Sequence, residues 1–200
     1  VKPSQDLRQT WRLGEGPVIG TIGRLEPVKG FDLLIRAMPT VLRRVPGAKL
    51  LIAGHDPWDY GRTLKGLVDQ LGLHGQVQFV GFQDDVSSFL HGLDVFVLAS
   101  RSEGFGQVVI EAMAAGKPVV VQRIPPLTEI VVNGETGLCV EPENTEALAE
   151  SSVWLLQHPQ EAKRMGQRGR TRVSDRFSVD RMAEETLGLY RQLLGTERGN

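Results

Sequence analysis

The sequence predicts an α/β fold, a doubly wound parallel sheet with extra helices at its C-terminal end. Two observations support this class. Short apolar runs rich in β-branched residues alternate along the chain with longer amphipathic stretches. The short runs are apolar almost throughout, which is typical of parallel strands covered by helices on both faces. Because helical crossovers between parallel strands are right-handed, we expect the usual winding.

Each predicted element follows from its periodicity. Six runs are predicted strands, at 17–25, 48–54, 77–82, 94–100, 117–121 and 136–142. Four stretches between them repeat apolar residues every three or four positions and are predicted helices, at 30–45, 61–73, 85–93 and 105–116. After these, only helical patterns follow, at 145–157, 159–173 and 178–194. Asn144 or Thr145, and Ser178, are predicted N-caps.

Composition excludes several classes of protein. The chain has 200 residues, of which 40% are hydrophobic and 24% charged, enough for one well-cored domain. A net charge of -1 argues against nucleic acid as a partner, and we interpret the basic run 163–172 as a solvated helix face. The single cysteine, Cys139, excludes an internal disulfide and is predicted to fill apolar space at a strand end. Since no apolar run approaches the roughly 20 residues of a membrane span, we expect a soluble, cytoplasmic protein.

The loop after the first predicted strand carries two cations. Its sequence, GRLEPVKG, places Arg24 and Lys29 just before a helix that begins at Gly30 or Phe31. In open α/β sheets, ligands bind beyond the carboxyl ends of the strands. Two cations beside a helix N-terminus can clamp a polyphosphate. The spacing leaves an alternative equally open, namely two solvated loop charges, one of them paired with Glu26.

The stretch after the fourth predicted strand, RSEGFGQVVIEAMAAGKPVV, combines glycines with acid. Gly104 and Gly106 would let the backbone approach a ligand, and the helix beginning near Gly106 would present unpaired N–H groups to an anion. Glu103 lies in the loop, and Glu111 lies about a turn and a half into the helix, leaning back toward its start. Carboxylates accept hydrogen bonds from vicinal sugar hydroxyls. The pattern therefore fits a ligand with sugar, diphosphate and sugar in series. The alternative is a dipole-capping Glu103 and a surface Glu111.

Competing motifs fail on inspection. A dinucleotide fingerprint needs a third glycine where Val109 stands, and AAGKPVV lacks the earlier glycine and the Ser/Thr of a P-loop. Asp84 and Asp85 are adjacent rather than spaced as D-x-D, and we predict that they cap the next helix. A metal is not required, since Arg24, Lys29 and the helix start can neutralise a diphosphate. We therefore expect no metal and no cofactor.

Several ordered stretches carry a family resemblance. GRLEPVKG, LLIAGHDP, VQFVGF, DVFVLASRSEGFGQVVIEAMAAGKPVV and EIVVNGETGLCVEP together resemble the C-terminal, donor-binding domain of GT-B retaining glycosyltransferases of family 4. The similarity runs without a gap over about 18–140. The resemblance implies one Rossmann-like half of a GT-B fold that takes a nucleoside diphosphate sugar as substrate.

The resemblance also implies roles for individual residues. Glu111 would bind the ribose hydroxyls, and Glu103 the transferred sugar near its reacting carbon. Arg24 and Lys29 would stabilise the leaving diphosphate. Further donor contacts are implied at the helix start, at the base and at the rim of the site, by Gly104, Phe105, Gly106, Gln107, Gly81, Phe82, Gly54 and His55.

The resemblance divides the chain into three parts. It implies an interdomain linker at 1–16, a nucleotide-sugar-binding domain at 17–177 and a C-terminal helix and tail at 178–200. A GT-B enzyme has two domains, so we expect the N-terminal acceptor domain to be absent from this chain. The chain should then bind donor without efficient turnover, and any membrane association would come through the intact enzyme. Pro125 and Pro126 stand where the family commonly has a glycine pair, which predicts a differently shaped pocket wall.

Other functions stay open at this point. Nucleotide-sugar 2-epimerases share the architecture, although the two glutamates favour a transferase. A non-catalytic nucleotide-binding or scaffolding module fits the size equally well. An NAD-dependent dehydrogenase domain is the weakest alternative because the third glycine is missing.

Overall fold

The structure is a computed structural model that describes residues 7–196, so the first six residues of the predicted linker and the last four of the predicted tail lie outside the described residues. Within the described part the strands are β1 Val18–Ile22, β2 Lys49–Ala53, β3 Val77–Gly81, β4 Val95–Leu98, β5 Val119–Gln122 and β6 Leu138–Val140. The helices are α1 Leu7–Thr10, α2 Phe31–Arg44, α3 Tyr60–Gln70, α4 Val86–His91, α5 Gln107–Ala114, α6 Leu127–Ile130, α7 Thr145–Gln157, α8 Pro159–Arg176 and α9 Val179–Thr196. A 3-10 turn, Pro27–Lys29, precedes α2.

The predicted doubly wound parallel sheet is confirmed. All of its neighbouring strands pair in parallel, in the order β3-β2-β1-β4-β5-β6. The order reverses between β1 and β4, where Ile19 pairs with Val95 and Gly20 with Phe96. In sheets of this kind, the crevice beyond the carboxyl ends of the two strands at the reversal is where ligands bind.

Burial on both faces explains why the strands are apolar throughout. Alternate residues of one strand belong to different apolar clusters, since Val95 and Val97 pack on one side of the sheet and Phe96 and Leu98 on the other. Helices α2, α3 and α7 cover the first side, and α4, α5, α6 and α8 contribute to the second. A strand with two covered faces has no solvent side on which polar residues would alternate.

The helices agree with the predictions apart from three short pieces. The predicted N-cap Asn144 accepts a hydrogen bond from the Ala147 amide at 2.9 Å, and Ser178 accepts one from the Arg181 amide at 3.3 Å. Helix α1, the 3-10 turn and α6 were not predicted, because each is four residues or fewer and too short to show a helical period. Helix α6 follows the Pro125–Pro126 peptide bond, which is cis.

The two ends of the described chain differ in their packing. Near the start, Leu13 is buried and the Trp11 ring lies edge-on to Phe89, with ring centroids 5.8 Å apart, so this part of the predicted linker packs on the domain. At the other end, α9 exposes a set of large apolar side chains, namely Val179, Met182, Leu187, Leu189, Tyr190, Leu193 and Leu194. No helix among the described residues has the length and apolar character needed to cross a bilayer.

Candidate functional site

Four loops meet beyond the carboxyl ends of β1 to β4, and backbone hydrogen bonds join them. The Leu25 amide donates to the His55 carbonyl at 2.9 Å, which links the loops after β1 and β2. The Gly54 amide donates to the Gly81 carbonyl at 2.8 Å, which links the loop after β2 to the last residue of β3. Most of the residues predicted to bind the donor lie on these four loops. The structure thus brings residues that are far apart in the chain together at one edge of the sheet.

Lys29 and Glu103 meet at the reversal of strand order. Lys29 Nζ donates to Glu103 Oε1 at 2.8 Å, and the Ser100 hydroxyl donates to the same oxygen at 2.7 Å. The Glu103 side chain is 8% exposed, and that of Lys29 is 20% exposed. A cation at the end of the β1 loop and a carboxylate on the β4 loop therefore share a mostly buried contact. Charge-assisted hydrogen bonds of this kind are stronger than neutral ones.

Arg24 lies on the same edge but is more exposed. Its Nε atom is 2.7 Å from Glu26 Oε1, so the pairing left open by the sequence is present. That contact is an ion pair rather than a well-formed hydrogen bond, because Glu26 Oε1 has no donor at acceptable geometry. The Arg24 guanidinium also lies 5.7 Å from the centre of the Trp58 ring. With a side chain that is 62% exposed, Arg24 is accessible to a ligand.

The start of α5 carries unpaired backbone donors. The helix begins at Gln107, and its N-cap, Gly106, has a φ of 88°. In the described part of the chain, the N–H groups of Phe105, Gly106 and Gln107 donate to no backbone or side-chain acceptor. Such groups at a helix N-terminus favour an anion. Gly104 is exposed, and no heavy atom lies within 4 Å of the position of a Cβ there.

Glu111 points toward the start of α5, as predicted from side-chain direction in helices. Its Oε1 accepts a hydrogen bond from Gln107 Nε2 at 3.0 Å. The residue is partly buried and lines a cleft of about 630 Å³ between α4, α5 and α8. Other polar residues of that cleft include Asp84, Ser87 and Arg170. Glu111 thus faces open space rather than packing against another element.

The remaining predicted donor contacts lie at the rim. Gly81 ends β3 and Phe82 follows it; both residues are exposed, Phe82 to 66%. Phe105 is 56% exposed, and His55 is also exposed. Gly54 is partly buried, and its backbone joins two loops. Each of these residues is therefore placed on the expected edge, and their contacts with a ligand stay predictions.

A charged network beside the site was not predicted. The Arg101 guanidinium contacts both carboxylate oxygens of Asp32, at 2.8 and 2.9 Å, and its Nε lies 2.7 Å from Glu143 Oε1. Burial alone raises the pKa of Asp32, but the hydrogen bonds and charge of Arg101 outweigh it and hold the pKa below its usual range. The bond to Asp32 likewise raises the pKa of Arg101. The only signal in the sequence was an arginine directly after the fourth predicted strand.

Three residues that were not predicted to bind the donor serve the fold, although Asp85 also lines the cleft beside Glu111. Lys117 precedes β5, at the opposite edge of the sheet, and donates to the carbonyls of His91 and Leu93 at 2.8 Å. Asp85 caps α4 by accepting from the Ser88 amide at 2.9 Å, as predicted. Cys139 is buried as predicted, but in the middle of β6 rather than at a strand end, and burial raises the pKa of its thiol. Across residues 7–196, no three His, Cys, Asp or Glu side chains are grouped as a metal site would require.

Comparison with known proteins identifies the class to which this fold and edge belong. The crystal structure of Alr3699/HepE from Anabaena in complex with UDP and glucose superposes with a TM-score of 0.87 at 27% identity, over 93% of this chain and 51% of that chain. The C-terminal domain of LpcC, a glycosyl transferase group 1 family protein from Francisella tularensis, gives a TM-score of 0.77 at 29% identity, over 88% of this chain and 95% of that one. The architecture is that of the Rossmann-like C-terminal domain of GT-B glycosyltransferases.

The family follows from the sequence comparison. The profile of the family described as "Glycosyl transferases group 1" matches residues 4–172, and the chain belongs to this family. The chain is also 34% identical, over 195 residues, to a GDP-mannose-dependent alpha-(1-6)-phosphatidylinositol monomannoside mannosyltransferase of Mycobacterium tuberculosis. That match covers 93% of this chain and 50% of the relative. The chain therefore spans about half the length of this curated relative.

Proposed function

We propose that this chain is the donor-binding domain of a retaining glycosyltransferase and that it binds a nucleoside diphosphate sugar at the reversal between β1 and β4. The observation that carries the proposal is the 2.8 Å contact between Lys29 Nζ and Glu103 Oε1. It sets a cation suited to phosphate beside a carboxylate suited to sugar hydroxyls. The unpaired amides at the start of α5 follow Glu103 on the same loop.

Each part of such a donor has a matching group on this edge. Glu111 accepts hydrogen bonds from the ribose hydroxyls. Arg24, Lys29 and the start of α5 neutralise the diphosphate. Glu103 uses one carboxylate oxygen for Lys29 and Ser100, and no described group donates to its Oε2, which is left for a hydroxyl of the transferred sugar.

The reaction we propose uses these charges on the leaving group. The bond between the anomeric carbon and the diphosphate oxygen breaks, and the electron pair stays on the diphosphate. Arg24 and Lys29 stabilise the negative charge that develops there. The acceptor hydroxyl attacks from the face that the diphosphate leaves, so configuration is retained, and its proton passes to the leaving phosphate. This scheme needs no metal ion, because protein groups neutralise the diphosphate.

We assign the acceptor site to a second domain. The chain spans half of the mannosyltransferase that it resembles, and α9 exposes apolar residues such as Met182, Leu189 and Leu193 that a second domain would cover. We expect this chain alone to bind donor without efficient transfer, and we assign any membrane association to the intact enzyme. Rapid sugar transfer by the isolated chain would contradict this part of the proposal.

The base and sugar are matters for experiment, since the relatives differ. One is named as GDP-mannose-dependent, and HepE was crystallised with UDP and glucose. Titration calorimetry of the chain against UDP, GDP and ADP, followed by the sugar conjugates of the best binder, identifies the base and the sugar. Repeating the titration with EDTA tests metal independence. Failure to bind any of the three nucleotides would contradict the proposal for the isolated chain.

Variants of the two glutamates test their separate roles. Glu111→Ala should weaken nucleoside diphosphate binding by about 1 to 3 kcal/mol, because it removes charged hydrogen bonds to ribose. Glu103→Gln should weaken the nucleotide sugar more than the free diphosphate, because its partner is the sugar. Glu150→Ala is a matched control, since Glu150 lies on α7 and pairs with Arg44 at 3.3 Å. Equal losses for both ligands in Glu103→Gln would refute the assignment of Glu103.

A further inference from the structure

Arg101 joins three segments around the candidate site. It is the third residue after β4 and lies two residues before Glu103. Its amide donates to the Val28 carbonyl at 2.8 Å, and its guanidinium donates to the Pro27 carbonyl at 2.6 Å. Both acceptors belong to the 3-10 turn that ends at Lys29. A single residue of the Glu103 loop thus holds the backbone of the Lys29 turn.

The same guanidinium is anchored on its other side. Asp32, in the first turn of α2, takes two nearly parallel hydrogen bonds from it, and Glu143, in the loop after β6, takes a third contact. A planar guanidinium bound in this two-pronged way has a fixed orientation, which a lysine cannot reproduce. The Arg101 side chain is 31% exposed, and each of its three guanidinium nitrogens contacts a protein acceptor.

We propose that Arg101 is a positioning residue that sets the distance between the Lys29 cation and the Glu103 carboxylate, and thereby the affinity for the diphosphate part of the donor. This inference rests on the proposed function. Arg101 acts through Lys29 rather than by touching the ligand. Loss of its guanidinium leaves the 3-10 turn held to the β4 loop by main-chain contacts alone, so that Lys29 is less firmly fixed where the diphosphate binds.

The first test compares a nucleoside diphosphate with its monophosphate, using the base found by the titrations above. In the wild-type chain the diphosphate should bind more tightly, because Lys29 reaches the distal phosphate. Arg101→Gln should reduce this preference about tenfold while the monophosphate affinity stays within about twofold. A purely structural role would weaken both ligands alike. Arg44→Gln is the control, because Arg44 also pairs with a glutamate but lies at the far end of α2.

The second test asks whether Arg101 acts through Lys29. In a Lys29→Met background, Arg101→Gln should change the preference for diphosphate no further. A further loss in that background would show that Arg101 contacts the phosphate itself, and would overturn the positioning role. Arg101→Lys should recover less than half of the lost preference. Should Arg101→Gln fail to fold, Asp32→Asn removes the anchor instead and should shift the preference in the same direction.

A third measurement needs no ligand and separates this inference from the proposed function. A double-mutant cycle with Lys29→Met, Glu103→Gln and the double variant gives the coupling between Lys29 and Glu103 as a factor in the unfolding constant. In the wild-type background this factor should be roughly three- to tenfold. When Arg101→Gln is added, this coupling factor should fall below about twofold, where a factor of one means no coupling. A wild-type chain that binds no nucleotide would overturn the proposed function, whereas an unchanged coupling would overturn the role of Arg101.

Discussion

The two glycines of the EGFG stretch should differ in how much stability the same substitution costs. Gly106 has a φ of 88°, and a Cβ added there would lie 2.6 Å from Leu127 Cδ2 and 3.3 Å from Ile130 Cδ1. Both of those side chains belong to α6 and are buried. Gly104, two residues earlier, has open space around the same position. One glycine is therefore required by the fold, and the other is not.

The expected magnitude follows from these distances. A left-handed backbone costs an alanine about 1 to 2 kcal/mol, and forcing an extra carbon against buried side chains costs about 1 to 3 kcal/mol. The reduced entropy of the unfolded chain offsets about 0.4 to 1 kcal/mol of this. We therefore expect Gly106→Ala to lower the free energy of unfolding by about 2 to 4 kcal/mol, and Gly104→Ala to change it by less than about 0.5 kcal/mol.

Urea denaturation followed by circular dichroism measures both values under one set of conditions. Under the proposed function, Gly104→Ala should still weaken diphosphate binding, because its new methyl group lies beside the unpaired amides at the start of α5. Similar unfolding free energies for the two variants would refute the argument. That result would mean that α6 yields to a methyl group, and that Gly106 is not needed to begin α5.

Three further predictions concern groups outside the proposed donor contacts. Asp32→Asn should lower the free energy of unfolding by about 1 to 2 kcal/mol at pH 7, since Asp32 binds Arg101. Because the folded-state pKa of Asp32 is lowered, this contribution is present above pH ~4 and lost at lower pH, so urea titrations should show the difference shrinking toward pH 3. A constant difference would contradict the pKa argument. Lys117→Met should lower the thermal midpoint more than Lys163→Met on the exposed face of α8, since two carbonyls lose their donor; equal midpoints would refute this. Cys139 should react with a thiol reagent at least about tenfold more slowly in the folded chain than in urea, because burial removes access and raises its pKa.

The fold was predictable from sequence because burial on both faces makes its signal strong. The VFVL run of β4 is covered on both faces of the sheet, so every residue of the run is buried and apolar. Two helix starts were also predictable, because the side chains of Asn144 and Asp85 cap backbone amides only three residues ahead. The short helices α1 and α6 were not predictable, because four residues are too few to show a helical period.

The candidate site likewise contains residues that could be predicted from the sequence and residues that could not. Residues whose role depends on the local chain, such as Gly106 before α5 and Glu111 within it, could be placed from spacing alone. The Arg101–Asp32 pair joins positions 69 residues apart, and nothing in either neighbourhood indicates the other. Their pairing depends on strand order, because β1 and β4 become neighbours only at the reversal of the sheet. A single sequence without knowledge of that order does not reveal which loops meet.

Under the proposed function, the close approach of these loops would hold charges ready for a diphosphate. Gly30 separates the 3-10 turn from α2 with a φ of 65°, and a Cβ there would overlap the carbonyl oxygen of Ala99 just after β4. The backbones of the two loops are therefore in direct contact, and the Lys29–Glu103 pair is held by main chain on both sides. Preorganised charges stabilise a developing negative charge without rearranging at the moment of reaction. Enlarging Gly30 should therefore disrupt the site by separating its loops, even though that glycine need touch no ligand.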